Sequence, residues 1–115
     1  REQVNRAKAA GKVDVLLSHD MPTGVDLAQV LGMSWGGPDR LKPFRDCEDH
    51  RNLVLEVVKA TRPSHVFHGH YHAAYRSQIQ VGTRTVRVEG LSQERTGAGN
   101  WTIIDTDSFR ERWFG

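Results

Sequence analysis

The chain has 115 residues, of which 37% are hydrophobic and 26% charged, and its net charge is +2. This composition is typical of one globular domain or part of one, rather than of a disordered or a membrane protein. No run approaches the roughly 18 apolar residues of a membrane-spanning helix, so no membrane partner is expected. Nucleic acid is a possible partner, but the interleaved basic and acidic residues do not indicate it.

The single cysteine and the first residues set two further expectations. Cys47 excludes an internal disulfide framework and fits a reducing compartment, so we expect a cytoplasmic protein. The chain begins with an arginine, and residues 1–10 are typical of the end of a helix closed by Gly11. We therefore expect a piece of a longer chain.

The first half predicts a strand followed by a long connection. The segment "KVDVLLS" (12–18) is a short apolar run, as in a strand that is buried on both faces of a layered sheet. The loop "HDMPTGVD" (19–26) follows it directly. Residues 32–46 are rich in glycine and proline and have no period, which indicates a surface excursion.

The clearest helix follows this excursion. Asp46 is suited to be its N-cap, apolar residues that include Val54 and Val58 recur at helical spacing, and Pro63 stops it. The segment "SHVFHG" (64–69) then predicts a second buried strand. The order of strand, helix and strand indicates an α/β fold.

The second half predicts antiparallel hairpins. From residue 73 the period changes from helical to alternating, and "AAYRSQIQV" and "TRTVRVEG" are joined across Gly82 and Thr83. The segments "NWTIIDT" and "FRERWF" predict a further hairpin that turns over residues 105–108.

Histidines cluster where the two predicted buried strands end. Four of the six histidines lie within "HVFHGHYH" (65–72), and His19 directly follows the first strand. Because ligands collect at the carboxyl ends of strands in open α/β sheets, imidazoles from two strand ends indicate a metal site. If residues 70–72 are extended, His70 and His72 project to the same side, while Gly69 leaves the strand at an unusual dihedral angle. The alternative for His19 is an ordinary histidine in a polar turn. The alternative for His70 and His72 is a structural role.

Neighbouring polar residues have other assignments. His68 is predicted to point away from His70 and to pack in the core or beside the ligands, and His65 is predicted at the surface. His50 is expected as a hydrogen-bonded histidine at a helix interface. Asp20 either orients an imidazole from beside the site or closes an Asx-turn.

Two motifs give the chain a family resemblance. "VLLSHD" and, further along, "VFHGHYH" resemble the last two motifs of the calcineurin-like metallophosphoesterase family, a strand ending in histidine and the Gly-His-x-His signature. The helix between them and "EGLS" in the tail are also similar, so the resemblance covers most of the chain. It implies a sandwich of two mixed β-sheets flanked by helices, of which residues 1–115 are the C-terminal half of one domain without its N-terminal half.

The resemblance also implies an activity. Members of the family are metal-dependent phosphoesterases, which hydrolyse a phosphomonoester or phosphodiester through a water activated by two divalent ions. By position, His19 and His70 would ligate one ion and His72 the other, with manganese, iron or zinc as the metals. Asp20, His68 and Gly69 would lie beside the ligands or near the phosphate ester substrate.

The family's acidic motifs are not present in this sequence. Asp-x-His, Gly-Asp-x-x-Asp and Gly-Asn-His motifs supply the remaining ligands and the histidine that protonates the leaving group, so no catalytic residue is assigned here. The missing N-terminal half is thus an expected partner, and the 115 residues alone are expected to be inactive. The alternatives are a non-catalytic phosphoesterase-like binding module and a histidine-rich zinc-binding domain.

Overall fold

The computed structural model describes residues 2–26, 29–30, 48–71, 73–92, 99–105 and 110–113. Within them a mixed four-stranded sheet packs with helices, and a separate two-stranded ladder follows, so the predicted α/β class is confirmed. The helices and strands are, in chain order, α1 (Glu2–Ala10), β1 (Val15–Ser18), α2 (Glu48–Thr61), β2 (His65–His68), β3 (Tyr75–Val81), β4 (Arg84–Gly90), β5 (Thr102–Asp105) and β6 (Arg110–Trp113).

The two helices α1 and α2 pack against each other, and their ends agree with the sequence. Gly11 follows α1 with a φ of 78° and donates its backbone N–H to the carbonyl of Lys8, as expected for a C-terminal glycine. Helix α2 buries a stripe that includes Val54 and Val58, and Pro63 follows its end. The proposed N-cap, Asp46, lies outside the described residues, as does the predicted surface excursion. None of the described helices is long and apolar enough to cross a membrane.

The four-stranded sheet has the order β1-β2-β4-β3. Strands β1, β2 and β4 are parallel, and β3 pairs antiparallel with β4 through the predicted hairpin over Gly82 and Thr83. The second strand of this hairpin, β4, is the one that pairs with β2, so β3 lies at the edge of the sheet. Ser18 is paired with His68, so β1 and β2 end at the same edge of the sheet.

The core lies on the face of the sheet that α2 covers. Val58 of α2 packs there with four buried residues of the strands, Val66, Ile79, Val86 and Val88. Complete burial of a valine side chain contributes roughly 1.5–3 kcal/mol, so this cluster anchors α2 to the sheet.

Two predictions of exposure are wrong. Strand β1 is not buried on both faces, because it is one of the two edge strands of the described sheet and Leu17 is 76% exposed. His65 is not at the surface but 5% exposed, because β2 lies between β1 and β4. Its ring stacks with that of Phe67, and its Nδ1 lies 2.8 Å from the hydroxyl of Ser64.

The ladder of β5 and β6 confirms the last predicted hairpin. Thr102 pairs with Trp113 and Asp105 with Arg110 in antiparallel register, and the residues between the strands lie outside the described ones. The second sheet of the described chain therefore has two antiparallel strands. A sandwich of two mixed sheets stays a prediction.

Gly90 at the end of β4 has no room for a side chain. A Cβ there would overlap with the ring of Tyr75 and lie 2.9 Å from the carbonyl oxygen of Ala73, whereas a Cβ at Gly69 would meet no atom within 4 Å. We expect Gly90→Ala to lower the free energy of unfolding by about 1–3 kcal/mol, because the Tyr75 ring must move. Gly69→Ala should change it by less than about 0.5 kcal/mol. Urea unfolding of both variants checks this, and equal losses would contradict it.

Candidate functional site

The side chains of His19 and His70 meet at the shared edge of β1 and β2. His19 directly follows β1, and His70 lies two residues beyond the end of β2. His70 Nδ1 is 2.9 Å from His19 Nε2, with the ring centroids 4.7 Å apart, so one nitrogen donates its N–H to the other. Both residues are exposed. The structure thus brings together two of the three predicted ligands.

The third predicted ligand, His72, lies outside the described residues. Metal ligation therefore stays a prediction for His19, His70 and His72 alike. Two observations bear on metal ligation: the three side chains are imidazoles, and they occur in the sequence order of the two histidine motifs.

His70 adopts a strained backbone conformation. Its φ is 70°, and the backbone N–H of Tyr71 donates to the carbonyl of Gly69 at 2.9 Å, so the three residues form a γ-turn with positive φ. The chain is thus not extended at His70, so the condition under which His70 and His72 would project to the same side is not met there. The prediction that Gly69 carries the unusual dihedral angle is wrong, because the positive φ falls on His70. A non-glycine residue in this region costs about 1–3 kcal/mol, and histidine is one of the residue types that adopt it more often than others.

His68 packs in the core, as predicted. It is 3% exposed, its Nδ1 donates to the carbonyl of Gly69 at 2.9 Å, and its Nε2 accepts a hydrogen bond from the hydroxyl of Tyr75. Burial lowers the pKa of His68 below its usual range, and burial raises the pKa of the Tyr75 hydroxyl. The imidazole is thus neutral with both nitrogens engaged, which leaves no lone pair for a metal.

Asp20 is a buried carboxylate beside the histidine pair. Its Oδ1 accepts hydrogen bonds from the backbone N–H of Met21 at 2.8 Å and from the Tyr71 hydroxyl at 2.5 Å, and its Oδ2 is 3.3 Å from His50 Nδ1. Burial acts to raise the pKa of Asp20, but these three bonds together with the electrostatic contribution of His70 outweigh burial, so the pKa lies below its usual value. The imidazole that Asp20 contacts is thus that of His50, which is not a predicted ligand, and the orientation of a ligand by Asp20 stays a prediction. The bond to Met21 lies one residue on rather than two, so it is not the bond of an Asx-turn.

Two further members of this polar cluster were not predicted from the sequence. Tyr71 and Arg51 are only 9% and 7% exposed, and Arg51 Nη1 donates to the Tyr71 hydroxyl at 3.4 Å. Burial, and next the bond to Asp20, raises the pKa of Tyr71 well above its usual range, so the phenol stays a donor. The burial of Arg51 could have been predicted from the sequence, because Arg51 lies three residues before Val54 on the buried stripe of α2. Tyr71, between two histidines, had no such signal.

His50 lines a cleft together with His19 and Asp20. The cleft has a volume of about 360 Å³, and its remaining walls are mostly apolar residues of α1, α2 and β1. The His50 side chain is 58% exposed, so it is partnered as expected but lies at the surface rather than within a helix interface. The carboxylate holds Nδ1, so Nε2 is the nitrogen left for proton exchange or ligand binding.

The histidine pair fits part of a metal site. Two nitrogens that each lie about 2.0–2.1 Å from one ion are separated by roughly 3 Å at ordinary coordination angles, close to the observed 2.9 Å. The described residues include no group of three or more His, Cys, Asp or Glu side chains that could hold an ion. His19 and His70 alone therefore do not make up a metal site within the described residues.

Comparisons with known proteins add no relative. No family model, no curated protein and no solved structure matches the chain. The resemblance to calcineurin-like metallophosphoesterases is thus carried by the two histidine motifs and by the segments around them.

The strain at His70 can be measured with two variants. His70→Gly and His70→Ala both remove the imidazole, but only glycine adopts a φ of 70° without a steric penalty. We expect His70→Gly to be more stable than His70→Ala by about 1 kcal/mol, since the left-handed region costs an alanine roughly 1–2 kcal/mol. Urea unfolding gives the difference. A more stable alanine variant would show that His70 is not strained.

Proposed function

We propose that this chain is the C-terminal, metal-binding portion of a metal-dependent phosphoesterase of the calcineurin-like type. The observation that carries the proposal is the approach of His19 Nε2 and His70 Nδ1 to 2.9 Å at the ends of two adjacent parallel strands. These are the histidines that the two sequence motifs single out. The reaction is hydrolysis of a phosphomonoester or phosphodiester, and the substrate is a phosphate ester.

The residues of the chain have distinct roles in this proposal. His19 and His70 hold one of two divalent ions, manganese, iron or zinc, and His72 holds the other. When bound, such ions would supply charge that neutralises phosphate oxygens and would acidify water, which is the chemistry that phosphate ester hydrolysis needs. His68 is not a ligand, because both of its nitrogens are engaged.

The edge that β1 leaves unpaired in the described part of the chain supports a second half of the domain as partner. Strand β1 is one of the two edge strands of the described sheet, Leu17 on it is 76% exposed, and the apolar cleft lies alongside. An exposed apolar edge strand is usually covered by further structure. In the proposed sandwich, the N-terminal half covers this edge and brings the acidic ligands that complete both metal sites.

Metal binding by the pair can be tested on the 115-residue chain itself. We expect His19→Ala and His70→Ala each to weaken Zn²⁺ or Mn²⁺ binding at least tenfold in competition with a chromophoric chelator, because each removes one of few donors. Asp14→Ala is the control: it also removes an exposed side chain that could ligate a metal, but one that contacts Lys12 before β1 begins rather than the pair. Equal losses in all three variants would contradict the assignment.

Hydrolysis is tested with p-nitrophenyl phosphate and bis(p-nitrophenyl) phosphate in the presence of Mn²⁺. We expect no activity from these 115 residues alone, and metal-dependent activity from a polypeptide that also carries the upstream sequence. His19→Ala in that polypeptide should lower kcat/KM at least a hundredfold. Activity of the 115 residues alone would refute the division of the site between two halves.

The same assays separate the alternatives. Metal binding without hydrolysis by the longer polypeptide would favour a non-catalytic binding module. Binding of zinc alone, with upstream sequence unrelated to phosphoesterases, would favour a histidine-rich zinc-binding domain.

A further inference from the structure

Two parallel cross-links join the loops that present the candidate ligands. His19 contacts His70, and the next residue of each loop, Asp20 and Tyr71, forms a hydrogen bond of 2.5 Å between the phenol and the carboxylate. The first link is between exposed imidazoles. The second is buried, with Asp20 3% and Tyr71 9% exposed.

The buried link is held from several sides. Met21 and His50 donate to the Asp20 carboxylate, and Arg51 donates to the Tyr71 oxygen. A hydrogen bond to a charged acceptor away from water is stronger than one between neutral, solvated groups. The position of the Tyr71 hydroxyl relative to β1 is therefore well defined.

Tyr71 also acts directly on His70. Its ring lies edge-on to the imidazole, with centroids 4.5 Å apart and an interplanar angle of 81°. Its backbone N–H closes the γ-turn by donating to Gly69. Since the φ of 70° at His70 is unfavourable by itself, contacts outside the turn must maintain it.

We propose that Tyr71, through its hydrogen bond to Asp20, is the positioning residue that keeps His70 facing His19 and thereby sets the metal affinity of the pair. Tyr71 does not touch the ion in this scheme. The link to metal affinity rests on the proposed function, whereas the link to the orientation of His70 does not.

The chain contains a matched control for Tyr71. Tyr75 also donates its hydroxyl to a buried partner, the imidazole of His68, which is not a proposed ligand. Tyr71→Phe and Tyr75→Phe each remove one hydroxyl and keep the ring. Both are expected to lower stability, so a difference in metal binding between them is not explained by loss of stability.

Zn²⁺ affinity of the 115-residue chain is the first measurement. We expect Tyr71→Phe to weaken binding about 10–100-fold, as is typical when the group that orients a ligand is removed. Tyr75→Phe should weaken it less than threefold. Asp20→Asn should resemble Tyr71→Phe, because it removes the charge that the phenol binds. Equal effects of the two phenylalanine variants would overturn the proposal.

Long-range ¹H–¹⁵N spectra of the imidazoles, recorded without metal, are the second measurement. In the unaltered chain we expect an N–H shared between His19 and His70, and its signals should change in Tyr71→Phe but persist in Tyr75→Phe. Unchanged signals in Tyr71→Phe would overturn the positioning role even if affinity fell. If His19→Ala and His70→Ala leave zinc binding intact, the proposed function fails, while these spectra still decide whether Tyr71 positions His70.

Discussion

The parallel register of β1 and β2 determines the geometry of the site. With Ser18 opposite His68, continued pairing would place His19 opposite Gly69 and carry His70 one residue further along. The backbone instead turns at His70, whose φ of 70° returns the imidazole toward His19. The strained turn is thus the consequence of a register in which the two histidines are out of step by one residue. A glycine at position 70 would adopt this φ without a steric penalty, but it has no imidazole to contact His19.

The free-energy cost of the positive φ at His70 is similar in size to the stabilisation that a neighbouring hydrogen bond provides. A left-handed residue of this kind costs about 1–3 kcal/mol. A hydrogen bond to a charged group contributes about 1.5–3 kcal/mol, and the bond between Tyr71 and Asp20 is of that type. Interactions between exposed groups, such as that of His19 with His70, contribute less because water competes for them. The buried link therefore supports the exposed one.

Local sequence patterns predicted the helices and strands and the meeting of the ends of β1 and β2. The burial of individual side chains depended instead on strand pairing between distant parts of the chain. The end of α1 at Gly11 and the turn at Gly82 follow from glycine and from the period of the flanking residues. The burial of His65 and the exposure of Leu17 do not, because both depend on which strand lies next to β1 and β2. The contact of Tyr71 with Asp20 joins residues 51 positions apart, and no local pattern encodes it.

His68 and His70 show why a histidine motif does not assign its own ligands. The residues lie two positions apart, yet one ring is buried with both nitrogens bonded, and the other is exposed with a nitrogen directed at a second imidazole. A metal binds an imidazole nitrogen through its lone pair, so an ion at the pair would replace the proton that His19 and His70 share, whereas both nitrogens of His68 are bonded to buried protein groups. The number of ligands that an ion requires also limits what His19 and His70 can bind by themselves. Two imidazoles do not satisfy an ion that takes four to six ligands, so the proposed chemistry requires donors beyond the described residues.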